Sequence, residues 1–170
     1  MKYLRPAFVL FVLITLQTTL FADLDLFGAK GDITMLLPIA AGITGGRERG
    51  AIVGFITGLG LDLVVHGTPT GFFALGYTLV GYVVGMLQAG VLRAAWWIPV
   101  LTAFGASALG VLTLAVVGKF IGIEGLFVVN HLVRVALVVA VLNALLILPM
   151  IRVTKWAMPA TTRSGRMVPV

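Results

Sequence analysis

The sequence predicts an all-α integral membrane protein with six transmembrane helices in one compact bundle. Hydrophobic residues make up 60% of the 170 residues and charged residues only 11%, and the mean hydropathy is +1.13. This composition excludes a soluble globular domain, in which charged residues make up about 25% of the chain. The chain also contains six apolar runs close to the length that an α-helix needs to cross a bilayer. Finally, most basic residues fall on one side of such an arrangement.

The apolar runs define the predicted elements in chain order. They cover residues 6–22, 33–46, 50–66, 71–90, 96–118 and 131–151. The first run follows Lys2 and Arg5, as in a secretory signal, but it lacks a small residue three positions before a cleavage point, and five more runs follow. We therefore expect a retained first span. The prediction is one six-helix domain over residues 1–157 and a disordered cytoplasmic tail over residues 158–170.

The second run is short for a membrane span. Residues 33–46 would rise only about 21 Å, less than a hydrocarbon core of about 30 Å. Charge placement indicates that the run crosses nevertheless, because without it Arg93 and the basic tail would lie on the side opposite to Lys2, against the positive-inside rule. We therefore expect six spans and two cytoplasmic termini. The cytoplasmic side then carries nine of the twelve basic residues, which are Lys2, Arg5, Arg47, Arg49, Arg93, Arg152, Lys155, Arg163 and Arg166.

The sequence argues against several function classes. The chain has no cysteine, which excludes disulfides, a thiolate metal site and a Cys nucleophile. The net charge of +6 is distributed in ones and twos between apolar runs, which argues against nucleic-acid binding. The sequence shows no phosphate-binding loop, no zinc-protease motif and no nucleophile elbow. We therefore expect a protein that is not an enzyme and holds no cofactor.

Small residues recur every four positions on three predicted helices. The first stripe runs through Gly50, Gly54 and Gly58 and ends at Asp62, so all four share one helical face. Such stripes let two membrane helices approach closely. Each stripe is either an internal packing seam or a surface that receives a helix from another protein. The other two stripes are Gly81, Gly85 and Ala89 on the fourth helix and Ala136, Ala140 and Ala144 on the sixth.

Asp62 is the only acidic residue within an apolar, glycine-rich stretch. A carboxylate inside a membrane is costly unless it is paired, interfacial or functional. It is either an interfacial group, hydrated or paired with Arg134, or a contact for a partner or substrate at the extracytoplasmic mouth. His66, four residues further on, and His131 are predicted on the same side. A metal or proton-relay site drawn from these residues lacks a paired-ligand motif, so no metal site is predicted.

Two amides within the predicted spans are candidates for hydrogen bonds between helices. Gln17 and Asn143 cannot satisfy both amide atoms with the carbonyl one turn earlier, as Ser and Thr do. Each interhelical bond is worth about 1 kcal/mol. Asp32 and Asn130 are predicted to cap the second and sixth helices.

Several short blocks occur together along this chain. The first span ends in LQTTL at residues 16–20, a short second span follows Asp32, and a basic turn follows that span. The two most specific blocks are GFITGLGLD at residues 54–62 and the spacing from Gly71 to GYVVG at residues 81–85. Together these blocks resemble the bacterial rod shape-determining MreD family, and the resemblance covers about residues 1–153.

The resemblance implies a non-enzymatic, multi-pass scaffold of the bacterial inner membrane that serves the cell-elongation machinery. Its implied partners are the bitopic protein MreC and membrane lipids. Through MreC it would meet the actin-like MreB filament, a RodA-type glycosyltransferase and a class B penicillin-binding transpeptidase. Stoichiometry, including a homo-oligomer, is left open.

The resemblance also implies a fold similar to the membrane substrate-binding subunit of energy-coupling-factor transporters. The alternative function is therefore a vitamin-binding subunit of such a transporter. The short outer loops argue against it, and we find no cluster of polar and aromatic residues suited to a polar vitamin. The alanine stripe from Ala136 to Ala144 resembles the seam that such subunits offer to their coupling partner.

Overall fold

The computed structural model describes residues 4–20, 25–26, 29–65, 67–91, 97–122 and 129–159. These residues form five α-helices and one short pair of strands. The predicted all-helical class is confirmed. In chain order the elements are α1 (Leu4–Thr19), β1 (Asp25–Leu26), β2 (Ala29–Lys30), α2 (Leu36–Val64), α3 (Phe72–Val91), α4 (Ile98–Ile121) and α5 (Val129–Ala157).

The strand pair was not predicted. β1 and β2 are antiparallel, with Asp25 opposite Lys30 and Leu26 opposite Ala29. Two residues per strand are too few for the alternating pattern that reveals a strand in a sequence. The pair lies in the connection between α1 and α2 and leaves the helical class unchanged.

Helix α2 is broken at Gly46, which has φ 79° and ψ −175°. This conformation is essentially restricted to glycine. A Cβ atom placed on Gly50 would lie 2.9 Å from the Cα atom of Gly42, although eight residues of a straight helix rise about 12 Å. The chain therefore reverses at Gly46. We call residues 36–45 the first arm and residues 47–64 the second arm, and they correspond to the second and third predicted runs.

The first arm forms the centre of the core. Ile39, Ala40 and Ala41 have no exposed surface, and Leu36 and Leu37 are almost as deeply buried. A helix that is apolar all round is typical of an element enclosed by other helices. This position accounts for the short second run, because a helix surrounded by protein does not need to match the thickness of the lipid.

Two helices within the described ranges are long and apolar enough to cross a membrane. They cover Ile98–Ile121 and His131–Ala157, with mean hydropathies of 2.2 and 2.5. Only 33% and 22% of their most apolar windows are buried, so most residues in these windows keep exposed surface. The other apolar stretches with described side chains, Leu4–Thr19 and Phe72–Leu87, are shorter, and the second arm adjoins the charged turn at residues 47–49. The structure thus supports two membrane spans among the described residues. It does not support the other four of the six predicted spans.

Side-chain contacts define two ends of the helical assembly. At one end, the Arg5 guanidinium of α1 lies 5.2 Å from the centre of the Trp156 ring of α5. Arg49, next to the break in α2, donates a hydrogen bond of 3.0 Å to the carbonyl of Met158. We call this end, which carries Arg5, Arg47, Arg49, Arg152 and Lys155, the basic end. The opposite end carries Gln17, Asp32 and Asp62, and Arg93 lies outside the described residues.

Candidate functional site

The glycine stripe of the second arm packs directly on the backbone of α3. A Cβ atom on Gly50 would lie 2.7 Å from the carbonyl carbon of Gly81, and one on Gly54 would lie 2.6 Å from that of Tyr77. At Gly58 the corresponding distance to the Cα atom of Ala74 is 2.5 Å. Real Cβ atoms essentially never approach other heavy atoms so closely. At all three positions, therefore, only glycine allows the two backbones to touch.

The glycine stripe of α3 forms the other half of the same seam. A Cβ atom on Gly81 would lie 2.6 Å from the carbonyl carbon of Gly50, and one on Gly85 would meet the backbone of Gly46 and Arg47. We call this contact, which includes Gly50, Gly54, Gly58, Gly81 and Gly85, the glycine seam. The glycine stripes of the second arm and of α3 therefore pack against each other inside the protein, which is the first of the two interpretations. The side chain of Ala89 lies outside the described part of α3.

Asp62 joins the second arm to the start of α3. Its carboxylate accepts backbone hydrogen bonds from Gly71 (2.9 Å), Phe73 (2.9 Å) and Ala74 (3.1 Å), and only 6% of the residue is exposed. The first N–H groups of a helix have no partner within the helix, and the helix dipole favours a negative charge at this position. The carboxylate of Asp62 therefore acts as an N-terminal cap supplied by another helix.

A second carboxylate, Asp32, organises the start of α2. One carboxylate oxygen accepts hydrogen bonds from the backbone N–H of Thr34 (3.1 Å) and from its hydroxyl (2.7 Å). The other oxygen accepts a hydrogen bond from the hydroxyl of Tyr77 on α3. The hydroxyls of Thr34 and Tyr77 are also 2.9 Å apart. Tyr77 is completely buried, so this cluster fixes the start of α2 against α3. Asp32 was predicted from the sequence as a cap, whereas no sequence pattern singled out Tyr77.

Gln17 connects α1 to the same region. Its amide nitrogen donates to the carbonyl of Gly31 at 2.8 Å, and its amide oxygen accepts from the backbone N–H of Ile33 at 2.9 Å. Both polar atoms of the side chain are thus satisfied by the segment that leads into α2. The amide bridges two elements, as expected, although its partners are backbone groups ahead of the second helix and not side chains within it.

Asn143 connects α5 to α4. Its amide nitrogen donates to the hydroxyl of Ser107 at 2.8 Å, and both residues are fully buried. The amide oxygen has no hydrogen-bond partner within the described chain. In the alanine stripe of the same helix, Ala140 is completely buried while Ala136 and Ala144 are half-buried. This stripe therefore faces the interior at its middle and is partly accessible on either side.

The basic end is tied together by two arginines. Arg49 donates to the carbonyls of Met158 (3.0 Å) and Pro159 (3.3 Å), the two residues that follow the end of α5 at Ala157. Arg5 lies over the ring of Trp156, within the range of a cation–π interaction. Arg47, Arg152 and Lys155 are exposed at the same end. Residues 158 and 159, predicted to begin a disordered tail, are thus held by Arg49, and residues 160–170 lie outside the described chain.

The histidines give no metal centre in the part of the chain that is described. His66 lies outside it, whereas His131 is exposed at the start of α5, on the same helix as the exposed Arg134. No group of three or more His, Asp or Glu side chains that could hold a metal ion occurs among the described residues. The bonds of Asp62 run to the α3 backbone, so its observed role is that of a cap.

No family model, no curated protein and no solved structure matches the chain. The evidence for its function therefore comes from the contacts described above. The side chains of Gln17, Asp32 and Asp62 at the opposite end bond to groups of the chain itself. Chemically, the arrangement can hold helices in fixed relative positions and present apolar surface around them.

Proposed function

We propose that this protein is a non-enzymatic scaffold of the bacterial inner membrane that serves the cell-elongation machinery. In this proposal it binds an MreC-like bitopic protein by helix packing within the membrane. The partner would link it to an actin-like filament, a RodA-type glycosyltransferase and a class B penicillin-binding transpeptidase. Support comes from the resemblance to the MreD family and from the two outward-facing apolar helices, α4 and α5.

One observation carries this proposal, namely that the conspicuous polar residues are engaged inside the protein. Asp62 bonds to the start of α3, Asp32 to Thr34 and Tyr77, and Gln17 to the segment before α2. Buried polar groups that are already satisfied stabilise a fixed arrangement, and they are poorly placed to act on a substrate. The outward apolar helix faces are then the surfaces left for recognition of a partner.

The proposal includes six membrane crossings. In this proposal the two arms of α2, which reverse at Gly46, and the other four helices are the six crossing segments, and they run alternately between the basic end and the opposite end. The positive-inside rule then places the basic end in the cytoplasm. In this arrangement both termini are cytoplasmic, and the turn at residues 67–71 faces outward.

We place the contact with the partner helix on the outward face of α4. The glycine seam is filled by the protein's own helices, so a partner needs another small residue for close approach. Gly105 is half-buried, and a Cβ atom at this position would meet nothing within 4 Å. Leu101 and Leu112, which share its face of α4, are exposed.

Co-purification from detergent tests the proposal. The tagged full chain is expressed with the MreC-like protein of the same genome, and the eluate is probed for that partner. We expect co-elution with the wild-type chain and a loss of at least tenfold with Gly105→Leu. The matched control is Thr113→Leu, on another half-buried position of the same helix, whose hydroxyl bonds only to the carbonyl of Leu109 one turn earlier. Absence of the partner from the wild-type eluate would contradict the scaffold, and undiminished capture by Gly105→Leu would move the contact elsewhere.

The alternative is a vitamin-binding membrane subunit of an energy-coupling-factor transporter. The observation in its favour is the cluster of Asp32, Thr34 and Tyr77, which brings polar and aromatic groups together at the opposite end. Equilibrium binding of radiolabelled water-soluble vitamins to the purified chain tests it. Stoichiometric binding of one vitamin, without capture of an MreC-like protein, would favour the transporter subunit over the scaffold.

A further inference from the structure

We infer that the basic end holds an anionic phospholipid headgroup between α1 and α5. The site would consist of Arg5, Arg152 and Lys155 around the ring of Trp156. The inference rests on the membrane insertion and orientation proposed above, and it does not depend on the identity of the protein partner.

The geometry brings these four residues to one surface. Arg152, Lys155 and Trp156 lie within about 100° of one another around the last turns of α5, and all three are exposed. Arg5 belongs to a different helix, and its guanidinium lies 5.2 Å from the centre of the Trp156 ring. The ring thus holds the cation of α1 beside the two cations of α5.

Positive charge at this end exceeds what the protein itself neutralises. Five cations, which are Arg5, Arg47, Arg49, Arg152 and Lys155, lie in the described part of this end, together with one carboxylate, that of Glu48. Of these cations, Arg49 is already engaged, because it donates to the carbonyls of Met158 and Pro159, the two residues that follow the end of α5. The charges of Arg5, Arg152 and Lys155 therefore remain available to an external anion.

A phospholipid headgroup fits this surface better than a soluble anion does. Tryptophan favours the level of the lipid headgroups, and Trp156 is 55% exposed, with the guanidinium of Arg5 over its ring and with Arg152 and Lys155 on the same face of α5. The cytoplasmic leaflet is anionic, and basic pockets between helices on that side bind anionic headgroups. The phosphodiester would meet the guanidinium groups while the acyl chains lie along the outward apolar face of α5, where Leu145 and Leu148 are exposed.

Quenching of Trp156 fluorescence by brominated lipids tests the inference. The chain contains three tryptophans, so Trp96→Phe and Trp97→Phe leave Trp156 as the only reporter. This variant is reconstituted in mixtures of brominated phosphatidylglycerol with plain phosphatidylcholine, and in the converse mixtures. The ratio of the two quenching curves gives the relative binding constant of the headgroups at this site. We expect phosphatidylglycerol to be preferred at least fivefold, and inorganic phosphate at millimolar concentration to leave the preference unchanged.

Charge removal then identifies the residues that form the site. Arg152→Gln and Lys155→Gln should each reduce the preference about fivefold, which corresponds to the ~1 kcal/mol of one cation near an anionic leaflet. Arg134→Gln, at the other end of α5, is the matched control and should change nothing. Equal quenching by both headgroups, or a preference that survives the double variant, would overturn the inference. Abolition of the preference by inorganic phosphate would also overturn it, because the site would then recognise a free anion. Capture of an MreC-like protein is a separate measurement, so the two proposals fail independently.

Discussion

The hydroxyl of Tyr77 donates a hydrogen bond to the carboxylate of Asp32, which lies 45 residues earlier in the chain. The hydroxyl of Thr34 also donates to Asp32, at 2.7 Å, and lies 2.9 Å from the hydroxyl of Tyr77. Because Tyr77 is completely buried, its hydroxyl depends on these partners in place of water. The cluster thus fixes where the first arm of α2 begins relative to α3.

Tyr77→Phe should destabilise the protein by about 1.5–3 kcal/mol, the range for a hydrogen bond to a charged group. The substitution keeps the ring, which packs edge to face on Phe73, and removes only the hydroxyl. Thermal unfolding in detergent measures the loss as a lower Tm. Tyr82→Phe is the matched control, since Tyr82 is 39% exposed on the same helix, and its Tm should stay within error of the wild type. Equal effects of the two substitutions would contradict a role for the cluster.

Asp62→Asn should lower the Tm, and Asp62→Ala should lower it further. The neutral amide has one acceptor oxygen for three backbone N–H groups and loses the favourable interaction with the helix dipole, at a cost of about 1–3 kcal/mol. Alanine leaves all three groups without a partner. Glu48→Gln, an exposed carboxylate at the basic end, provides the control. Unchanged unfolding of Asp62→Ala, together with loss of partner capture, would mean that the carboxylate serves recognition and not capping.

Gly54→Ala should destabilise the protein by about 1–3 kcal/mol or more, because the added methyl group meets the carbonyl of Tyr77. Helix propensity alone predicts the opposite sign, a gain of up to about 1 kcal/mol for Ala over Gly. Gly105→Ala separates the two effects, because the space around this position is open, and it should be neutral or stabilising. If both substitutions shift the Tm in the same direction, the close approach of the two helices at Gly54 is not a determinant of stability.

Local sequence patterns predicted most of the observed helices. The runs at 71–90, 96–118 and 131–151 correspond to α3, α4 and α5, with ends that differ by up to six residues. The turn between the second and third runs was predicted at residues 47–49. In the structure the chain reverses at Gly46 alone, and residues 47–49 already belong to the second arm of α2. The central position of the first arm was not predicted, because burial on all sides and exposure to lipid favour the same apolar residues.

The candidate sites were less predictable, since they depend on contacts between distant positions. A four-residue glycine repeat indicates a helix-packing stripe, but it does not say which helix fills it, and here Gly81 fills the position opposite Gly50. The partners of Asp62 lie 9 to 12 residues further on and come within reach only after the turn at residues 67–71. Arg49 appeared only as a topology determinant, and its bonds to residues 158 and 159 span 109 and 110 positions.

Asn143 and Ser107 should behave as a coupled pair. Ser107→Ala leaves the buried amide of Asn143 with no partner in the described chain for either polar atom, at a cost of about 1–3 kcal/mol. Asn143→Leu removes the amide and its unsatisfied oxygen, so the double variant should be more stable than the sum of the two single effects. A double-mutant cycle of unfolding free energies in detergent measures this coupling. Additive effects would show that the hydrogen bond contributes little to the packing of α4 on α5.

The chain has no cysteine, so single-cysteine variants report the membrane orientation without background. Thr70→Cys lies in the exposed turn before α3, at the end opposite to the basic end, whereas Ser164→Cys lies beyond the end of α5 in the sequence. With six crossings and a cytoplasmic basic end, an impermeant maleimide should label Thr70→Cys in intact spheroplasts and Ser164→Cys only after lysis. The reverse pattern would invert the orientation and place the proposed headgroup site in the outer leaflet. Labelling of both variants from outside would require that α3, α4 and α5 cross the bilayer an even number of times between them, which contradicts the six-span arrangement.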